Sequence, residues 1–201
     1  MPDPSLLIEF NESAAVVRFN KPSQRNSLSI STLRELAETL DVLGRHDIKA
    51  IIFTGTGDVF ASGADISELV QLDPAAANAF SSLGQQTFQS IAEARPVTIS
   101  AINGYCMGGG LDLALACDIR IASKDAVFSH PGAKRGIITG WGGTQRLPRL
   151  VGKQRALDMF LTARLVASEE ALQMGLVSKI CDPVLPCALQ LASSIRKVAA
   201  Y

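Results

Sequence analysis

The sequence predicts an α/β protein in which helices pack on a mostly parallel β-sheet. Apolar runs of strand length alternate with segments whose apolar residues recur at helical spacing. The two most apolar strand candidates, "KAIIFTG" and "VTISAIN", are separated by one long helical segment. Strands that alternate with helices along a chain typically pair in parallel and are covered by those helices.

The first half of the chain reads as a hairpin, a helix and a buried strand. "LLIEF" and "AAVVRF" flank Asn11–Ser13 and predict a β-hairpin. "LSISTLRELAETLDVLG" predicts an amphipathic helix that ends at Gly44, and "KAIIFTG" a buried strand followed by a long loop.

The second half adds more helix than strand. "PAAANAFSSLGQQTFQSIAEA" predicts a helix that ends before Arg95-Pro96, and "VTISAIN" a second buried strand. Three glycines then lead into the helical run "LDLALAC", and "IRIAS" and "AVFSH" predict short strands. From "GGTQRL" onward the pattern is mostly helical, with an extended piece at "LVSKI" and a final helix in "CALQLASSIRKVAAY".

Composition limits the class of protein. The 201 residues are 47% apolar and 19% charged, which fits one soluble globular domain. Lys plus Arg and Asp plus Glu are 19 each, so no basic excess points to nucleic acid. We find no secretory signal and no apolar run long enough to span a bilayer, and we therefore expect a cytoplasmic protein without membrane association. The four cysteines lie in apolar surroundings and are expected to be buried, reduced thiols.

Two small-residue loops follow the two buried strands, "TGTGDVFASGADISEL" (54–69) and "NGYCMGGGLD" (103–112). Ligands of such sheets bind beyond the carboxyl ends of the strands. The backbone N–H groups of Ala64 and Gly109 are therefore candidates for an oxyanion hole, assisted by the helix that follows. The alternative is that Gly108–Gly110 only allow close packing of strand and helix.

Nucleotide binding is a weaker interpretation of the same glycines. Gly55-Thr56-Gly57 begins a dinucleotide-binding pattern, but Phe60 stands where its last glycine belongs. "VGKQRA" lacks the hydroxyl residue of a phosphate-binding loop, because Gln154 takes that place.

Several segments, in the same order along the chain, resemble the enoyl-CoA hydratase/isomerase (crotonase) superfamily. They are "RFNKPSQRNSLS", "FASGADISEL", "NGYCMGGGLDLALACDIRIAS", "GWGGTQRLPRLVG" and "EEALQMGLVSKI". The resemblance implies one crotonase-like domain over residues 1–201, a spiral of ββα units with its core at about 5–181. A mostly helical C-terminal part at about 182–201 would lack the family's usual further helices. The family usually assembles as homotrimers or hexamers.

The resemblance also assigns a substrate and a site. An acyl-CoA thioester would lie along the 61–67 loop, with its carbonyl oxygen held by Ala64 and Gly109 as an enolate forms. Coenzyme A is part of the substrate, and we expect neither another cofactor nor a metal. The residues that would contact substrate or coenzyme A are Ala61, Gly63, Ala64, Asp65, Ile66, Ser67, Gly109, Arg25 and Trp141.

Asp112 occupies the position of the first of two glutamates that hydratases of the family use, and Gly132 occupies the second. Because glycine cannot transfer a proton, two-carboxylate hydration is in question. Isomerisation, hydrolysis or decarboxylation through Asp112 alone, or acyl-CoA binding without catalysis, are the alternatives. Asp112 is otherwise a helix N-terminal residue favoured by the helix dipole.

Three further side chains complete the candidate site. His130 is two residues from Gly132 and is a candidate acid/base, although a structural role is the commoner one for such a residue. Trp141 would form a wall of the acyl pocket or part of the core. Lys21 and Arg25 are candidates for the phosphates of coenzyme A, or else are solvated loop residues.

Overall fold

The fold is given by a computed structural model that describes residues 4–12 and 14–196. The strands are β1 (Leu6–Asn11), β2 (Ala14–Phe19), β3 (Ser27–Leu28), β4 (Ala50–Gly55), β5 (Val59–Ala61), β6 (Gly63–Ala64), β7 (Val97–Ile102), β8 (Tyr105–Met107), β9 (Ile119–Ala122), β10 (Val127–Ser129), β11 (Val166–Ala167) and β12 (Lys179–Ile180). The α-helices are α1 (Ile30–Leu43), α2 (Ile66–Leu69), α3 (Pro74–Ala92), α4 (Gly109–Ala116), α5 (Gly143–Val151), α6 (Lys153–Thr162), α7 (Ser168–Gln173) and α8 (Val184–Ser194). Two 3₁₀ helices occupy Pro22–Gln24 and Pro131–Arg135.

The strands form three sheets. The largest has the order β1-β2-β4-β7-β9-β12, antiparallel between β1 and β2 and parallel elsewhere. The second has the order β11-β10-β8-β5, and a parallel β3-β6 pair is the third. The mostly parallel α/β architecture predicted from the sequence is therefore confirmed.

The central strands divide their side chains between two cores. In β4, Ile51 and Phe53 point into the larger core with α1, α3 and α4, whereas Ile52 points into a smaller core covered by α8. This is the period-two alternation of a sheet that is buried on both faces. Every residue of α4 is buried, so the helix that follows the triple glycine lies inside the larger core.

The predicted elements are mostly confirmed, with corrections at their ends. The first helix begins at its N-cap Ser29, whose Oγ accepts from the amide of Thr32, and it stops at Gly44 as expected. The helix after the glycines was placed two residues late, because Gly109 and Gly110 already belong to α4. The two loops are not irregular throughout, since the first contains β5, β6 and α2 and the second contains β8.

The C-terminal region needs two corrections. The last helix was expected from Cys187 to the end of the chain, but α8 begins at Val184 and ends at Ser194. Residues 197–201 lie outside the described part. The expectation of four reduced thiols is wrong for Cys181 and Cys187, which form a disulfide with Cα atoms 6.5 Å apart. The turn between β12 and α8 brings these two residues together, whereas Cys106 and Cys117 are buried free thiols.

Two structural features bear on other classes of protein. No helix among the described residues combines the length and the apolarity needed to cross a bilayer. The same residues contain no group of three or more His, Cys, Asp or Glu side chains that could hold a metal ion.

Candidate active site

The two predicted loops meet backbone to backbone. A Cβ atom placed on Gly63 would lie 2.8 Å from the amide nitrogen of Gly109. A Cβ atom placed on Gly109 would lie 3.5 Å from the amide nitrogen of Ala64. The structure therefore brings together the two segments whose amides were expected to share one oxygen, and only residues without a side chain fit at 63 and 109.

The three consecutive glycines are required for reasons of conformation and of packing. Gly108 has φ +53°, a conformation that L side chains rarely adopt. A Cβ atom on Gly109 would lie 2.3 Å from Cζ3 of Trp141, and one on Gly110 would lie 2.2 Å from the carbonyl oxygen of Ala61. Close packing thus explains both Gly109 and Gly110, and Gly109 also borders the amide of Ala64.

Trp141 is a core residue that also forms one side of this meeting point. Its ring is 4% exposed and packs edge-on against Phe80 and Phe88, with ring centroids 5.1 and 5.5 Å apart. The indole is wedged between α3 and α4, because a Cβ atom on Gly84 would lie 2.3 Å from its Nε1. The two interpretations of Trp141, core and pocket wall, are therefore compatible.

Asp112 is a fully buried carboxylate in the first turn of α4. Its Oδ2 accepts a hydrogen bond from the hydroxyl of Thr139, whereas its Oδ1 has no hydrogen-bond partner among the described residues. Burial raises the pKa of Asp112 to about 7, and the Thr139 hydroxyl, the amides of Trp141 and Gly143 and the charge of Arg146 oppose that rise. Such a group can both accept and donate a proton at neutral pH.

His130 is the nearest titratable neighbour of that unpartnered oxygen. Its Nε2 lies 3.7 Å from Oδ1 of Asp112, too far for a hydrogen bond, and neither ring nitrogen has a hydrogen-bond partner in the described residues. Burial lowers the pKa of His130 to about 4, so the ring is neutral at pH 7. The imidazole packs at 4.7 Å from the ring of Phe160. The structure thus places two incompletely satisfied polar side chains side by side in the core.

Position 132 has no room for a side chain. A Cβ atom on Gly132 would lie 2.5 Å from the carbonyl oxygen of Ile137. The amide of Ile137 donates a hydrogen bond to the carbonyl oxygen of Gly132 at 3.1 Å. The segment that could have carried a second carboxylate is folded back on itself. It delivers the hydroxyl of Thr139 to Asp112 instead.

The other predicted ligands of coenzyme A in segment 61–67 lie before α2 or in its first turn. Asp65 caps this short helix, and its Oδ1 accepts from the amide and the hydroxyl of Ser67, which lowers the pKa of Asp65. Ile66 and Ser67 are exposed, whereas Ala61 is buried in β5. The segment 61–67 is therefore buried at its start and exposed at its end, where a ligand could contact it.

Arg25 lies on the surface beside the second loop. It has φ +54°, and its guanidinium carbon is 5.2 Å from the ring centroid of Tyr105 in β8. Stacking on an aromatic ring holds a guanidinium in place without consuming its hydrogen-bond donors. Asn26, which follows, is buried and donates to the carbonyls of Thr56 and Val59, so it ties this turn to the first loop.

Sequence reasoning missed Thr139 and Arg146, which act on Asp112, and Phe160, which packs against His130. Thr139 is 27 positions from Asp112 in the chain, and nothing in "GIITGWGG" marks it as a partner. Arg146 donates to the carbonyl oxygen of Trp141 at 3.2 Å. Because α5 follows the Gly-Trp-Gly-Gly stretch directly, helical spacing would have placed Arg146 near that loop.

A buried carboxylate of raised pKa lies close to two convergent backbone segments at the start of a helix, in an α/β protein with a mostly parallel sheet. The structure of DspI from Pseudomonas aeruginosa is similar, with a TM-score of 0.90 and 38% identity over 94% of this chain and 79% of that one. An enoyl-CoA hydratase from Bacillus anthracis has a TM-score of 0.91 and 32% identity over 94% of this chain and 76% of that one.

Sequence comparison then identifies the family. The profile of the enoyl-CoA hydratase/isomerase family matches residues 9–200. The crotonyl-CoA hydratase of Syntrophomonas wolfei is 37% identical over 97% of this chain and 74% of its own length. The short-chain-enoyl-CoA hydratase of Clostridium acetobutylicum is 37% identical over 95% and 75%. This chain belongs to the enoyl-CoA hydratase/isomerase family and is an enzyme of that family.

Proposed function

We propose that this enzyme binds an enoyl-CoA thioester and stabilises its enolate with the amides of Ala64 and Gly109. The close approach of Gly63 to the amide of Gly109, and of Gly109 to the amide of Ala64, supports this assignment. Amides in the first turn of a helix have no partner within the helix, and the helix dipole favours negative charge there. In related acyl-transfer sites, one donor of this kind contributes about 10²–10³ in rate.

Asp112 is the proton-transferring group in this proposal, and its burial is the observation that carries it. A carboxyl group with a pKa of about 7 is present in both protonation states near neutrality. Its unpartnered Oδ1 is the oxygen available to a substrate proton. Its Oδ2 is fixed by the hydroxyl of Thr139, which orients the group.

Double-bond isomerisation is the reaction that one carboxylate performs without a second acid. Asp112 removes a proton from C2 of a 3-enoyl thioester, and the electron pair of that C–H bond moves toward the thioester oxygen. The resulting dienolate is held by the two amides. Asp112 returns the proton to C4, which gives the 2-enoyl thioester with no other atom gained or lost.

Hydration of a 2-enoyl thioester is the second candidate, favoured by the names of the two relatives. It requires a water molecule to be activated as well as a proton at C2. Gly132 supplies no group for this, and the carbonyl of Ile137 closes the space. Hydration here would run through Asp112 in both steps, with the neutral imidazole of His130 beside it as an acid/base or positioning partner.

Placing the thioester oxygen between Ala64 and Gly109 also indicates which residues would contact the acyl and nucleotide parts of the substrate. The indole of Trp141 borders Gly109 and would contact the carbons next to the thioester. The exposed residues Ile66 and Ser67 would lie along coenzyme A, and Arg25, held by Tyr105, would meet a phosphate.

Two absorbance assays test the proposal. Isomerisation creates a conjugated thioester from 3-hexenoyl-CoA and raises its absorbance, whereas hydration of crotonyl-CoA lowers it. We expect the wild type to catalyse the first reaction and Asp112→Asn to lose it. In deuterium oxide, product that retains protium at C4 would show that a single group carries the proton. Binding of both thioesters with turnover of neither would contradict the proposal and favour a non-catalytic relative.

The proposal extends to assembly and location. Leu157, Leu161 and Leu165 on and after α6 are 44%, 73% and 62% exposed, which supports burial of this face in a homotrimer or hexamer. Light scattering after size-exclusion chromatography measures that state. We expect a cytoplasmic location from the sequence, and the disulfide between Cys181 and Cys187 weighs against it, because cytosolic thiols are kept reduced. Alkylation before lysis followed by mass spectrometry tests it.

A further inference from the structure

A polar groove lies between α3 and α5, beside Trp141. Its volume is about 470 Å³, within the usual range of about 300–1,000 Å³ for small-molecule sites. Its polar side chains are Gln85, Gln89, Thr144, Gln145, Arg146 and Arg149. None of the residues proposed above to act on the thioester lines it except Trp141.

The groove carries two positive charges and no negative one. Arg146 donates to the carbonyl of Trp141 and to Oε1 of Gln89, each at 3.2 Å, and Arg149 donates to the carbonyl of Gln145. All of these acceptors are neutral. Within residues 4–12 and 14–196, no carboxylate lies within 4.0 Å of either guanidinium group.

The start of α5 adds to this positive potential. Gly142 precedes the helix with φ +99° and provides no side chain to cap it. A Cβ atom there would lie 2.2 Å from Nη1 of Arg146, so the glycine leaves room for the guanidinium. Gly142 and Thr144, at the start of α5, line the same groove as the two arginines, and the helix dipole adds positive potential at this end of α5.

We propose that this groove binds a small molecule through a phosphate group. The planar guanidinium offers parallel donors that match two phosphate oxygens, and two arginines without carboxylate partners provide the charge. The amides of Gln85 and Gln89 provide donors and acceptors for the rest of the ligand. The phosphate belongs either to a free metabolite or to the nucleotide end of a coenzyme A molecule.

The groove contains its own reporter, because Trp141 is the only tryptophan of the chain and lines it. Tryptophan fluorescence is followed while inorganic phosphate replaces chloride at constant ionic strength. We expect a saturable change in the wild type. Arg149→Gln should weaken phosphate binding about tenfold, since it removes a charge-assisted hydrogen bond. Arg34→Gln is the matched control, because Arg34 is an exposed arginine of α1 outside the groove.

Each titration is repeated by isothermal titration calorimetry, which detects binding even if the tryptophan fluorescence does not change. Absence of saturable binding by both methods, or equal affinities of the wild type and Arg149→Gln, would overturn the proposal. Neither readout depends on turnover, so these titrations test the phosphate-binding proposal independently of the proposed reaction. A second arm uses adenosine 3′,5′-bisphosphate: tighter binding than phosphate identifies the nucleotide end of coenzyme A, and equal or weaker binding identifies a free metabolite.

Discussion

The two ends of α4 each present an aspartate, and the two side chains have opposite surroundings. Asp112, in the first turn, is fully buried, and one of its oxygens has no partner in the described residues. Asp118, just beyond the last turn, is exposed, and its Oδ2 accepts from the amide and the hydroxyl of Thr98 at 2.8 and 2.9 Å. The hydroxyl of Thr98 in turn accepts from the amide of Asp118. One carboxylate joins α4 to β7, and the other keeps its capacity to react.

The difference shows how a fold separates structural from chemical groups of the same type. A buried carboxylate that lacks a partner destabilises the folded state, and proteins retain such groups mainly where function requires them. A carboxylate that closes a hydrogen-bonded ring with a neighbouring strand needs no other explanation. Substitutions at one end of α4 at a time separate the two roles.

The largest effect is expected on catalysis, from a substitution of Asp112 in the first turn of α4. Asp112→Asn keeps the shape of the side chain and removes proton transfer, so turnover of the enoyl-CoA substrate should fall by about 10²–10⁴. Initial rates measure this loss, and circular dichroism checks the fold. Asp118→Asn is the matched control, and an equal loss of rate in that variant would refute the assignment of roles.

The second effect is a dependence of stability on pH. Burial raises the pKa of Asp112 from 3.8 to about 7, so between these values the folded chain keeps a proton that the unfolded chain has lost. Stability from this group is therefore present at low pH and is lost as pH rises, by about 4 kcal/mol across that window. Chemical denaturation of the wild type and Asp112→Asn should show the difference between their free energies of unfolding falling by that amount.

His130 makes the free energy of unfolding depend on pH in the opposite direction, so its effect must be separated from that of Asp112. Its pKa is lowered to about 4, so its contribution to stability is lost as pH falls from 6.5 toward 4. This contribution is common to the wild type and Asp112→Asn and largely cancels in their difference. A difference that stays constant with pH would contradict the raised pKa of Asp112.

A smaller effect is expected at the second end of α4. Asp118→Ala leaves the fully buried amide of Thr98 without its acceptor and should lower the free energy of unfolding by about 2 kcal/mol. Urea denaturation at a fixed pH measures it. The rate of substrate turnover per folded molecule should not change. A loss of turnover with unchanged stability would contradict the structural role of Asp118.

The smallest effect concerns the hydroxyl that orients Asp112. Its hydrogen bond lowers the pKa of this carboxyl, so Thr139→Val should raise that pKa further, by on the order of one unit. Because the ionised form removes the substrate proton, the acidic limb of the profile of kcat/KM against pH should move to higher pH. Thr162→Val, at the exposed end of α6, is the control, and equal profiles for Thr139→Val and the wild type would show that the hydroxyl does not act on Asp112.

Local patterns predicted the elements well, because they depend on neighbours in the chain. The hairpin, α1 and the two buried strands follow directly from β-branched apolar runs, helical spacing and the stop at Gly44. The strands β5, β6 and β8 were missed because each has only two or three residues and is defined by its partner strand.

The surroundings of Asp112 could be predicted only in part. Its position after the glycines marked it as a candidate, and His130 was singled out as the nearest histidine to Gly132. Their separation of 3.7 Å depends on how β10 packs beside β8, which no local pattern contains. The contact with Thr139 and the disulfide between Cys181 and Cys187 likewise depend on turns whose path the residue types do not specify.

The alternation along β4 has a consequence for mutations far from the glycine loops. Ile52 supports α8, whereas its neighbours Ile51 and Phe53 support the core that contains α4. Deleting one residue from this strand would exchange the two faces and put each side chain into the wrong compartment. The support of α8 and the support of the core around α4 thus depend on one strand, and a change of its register alters both.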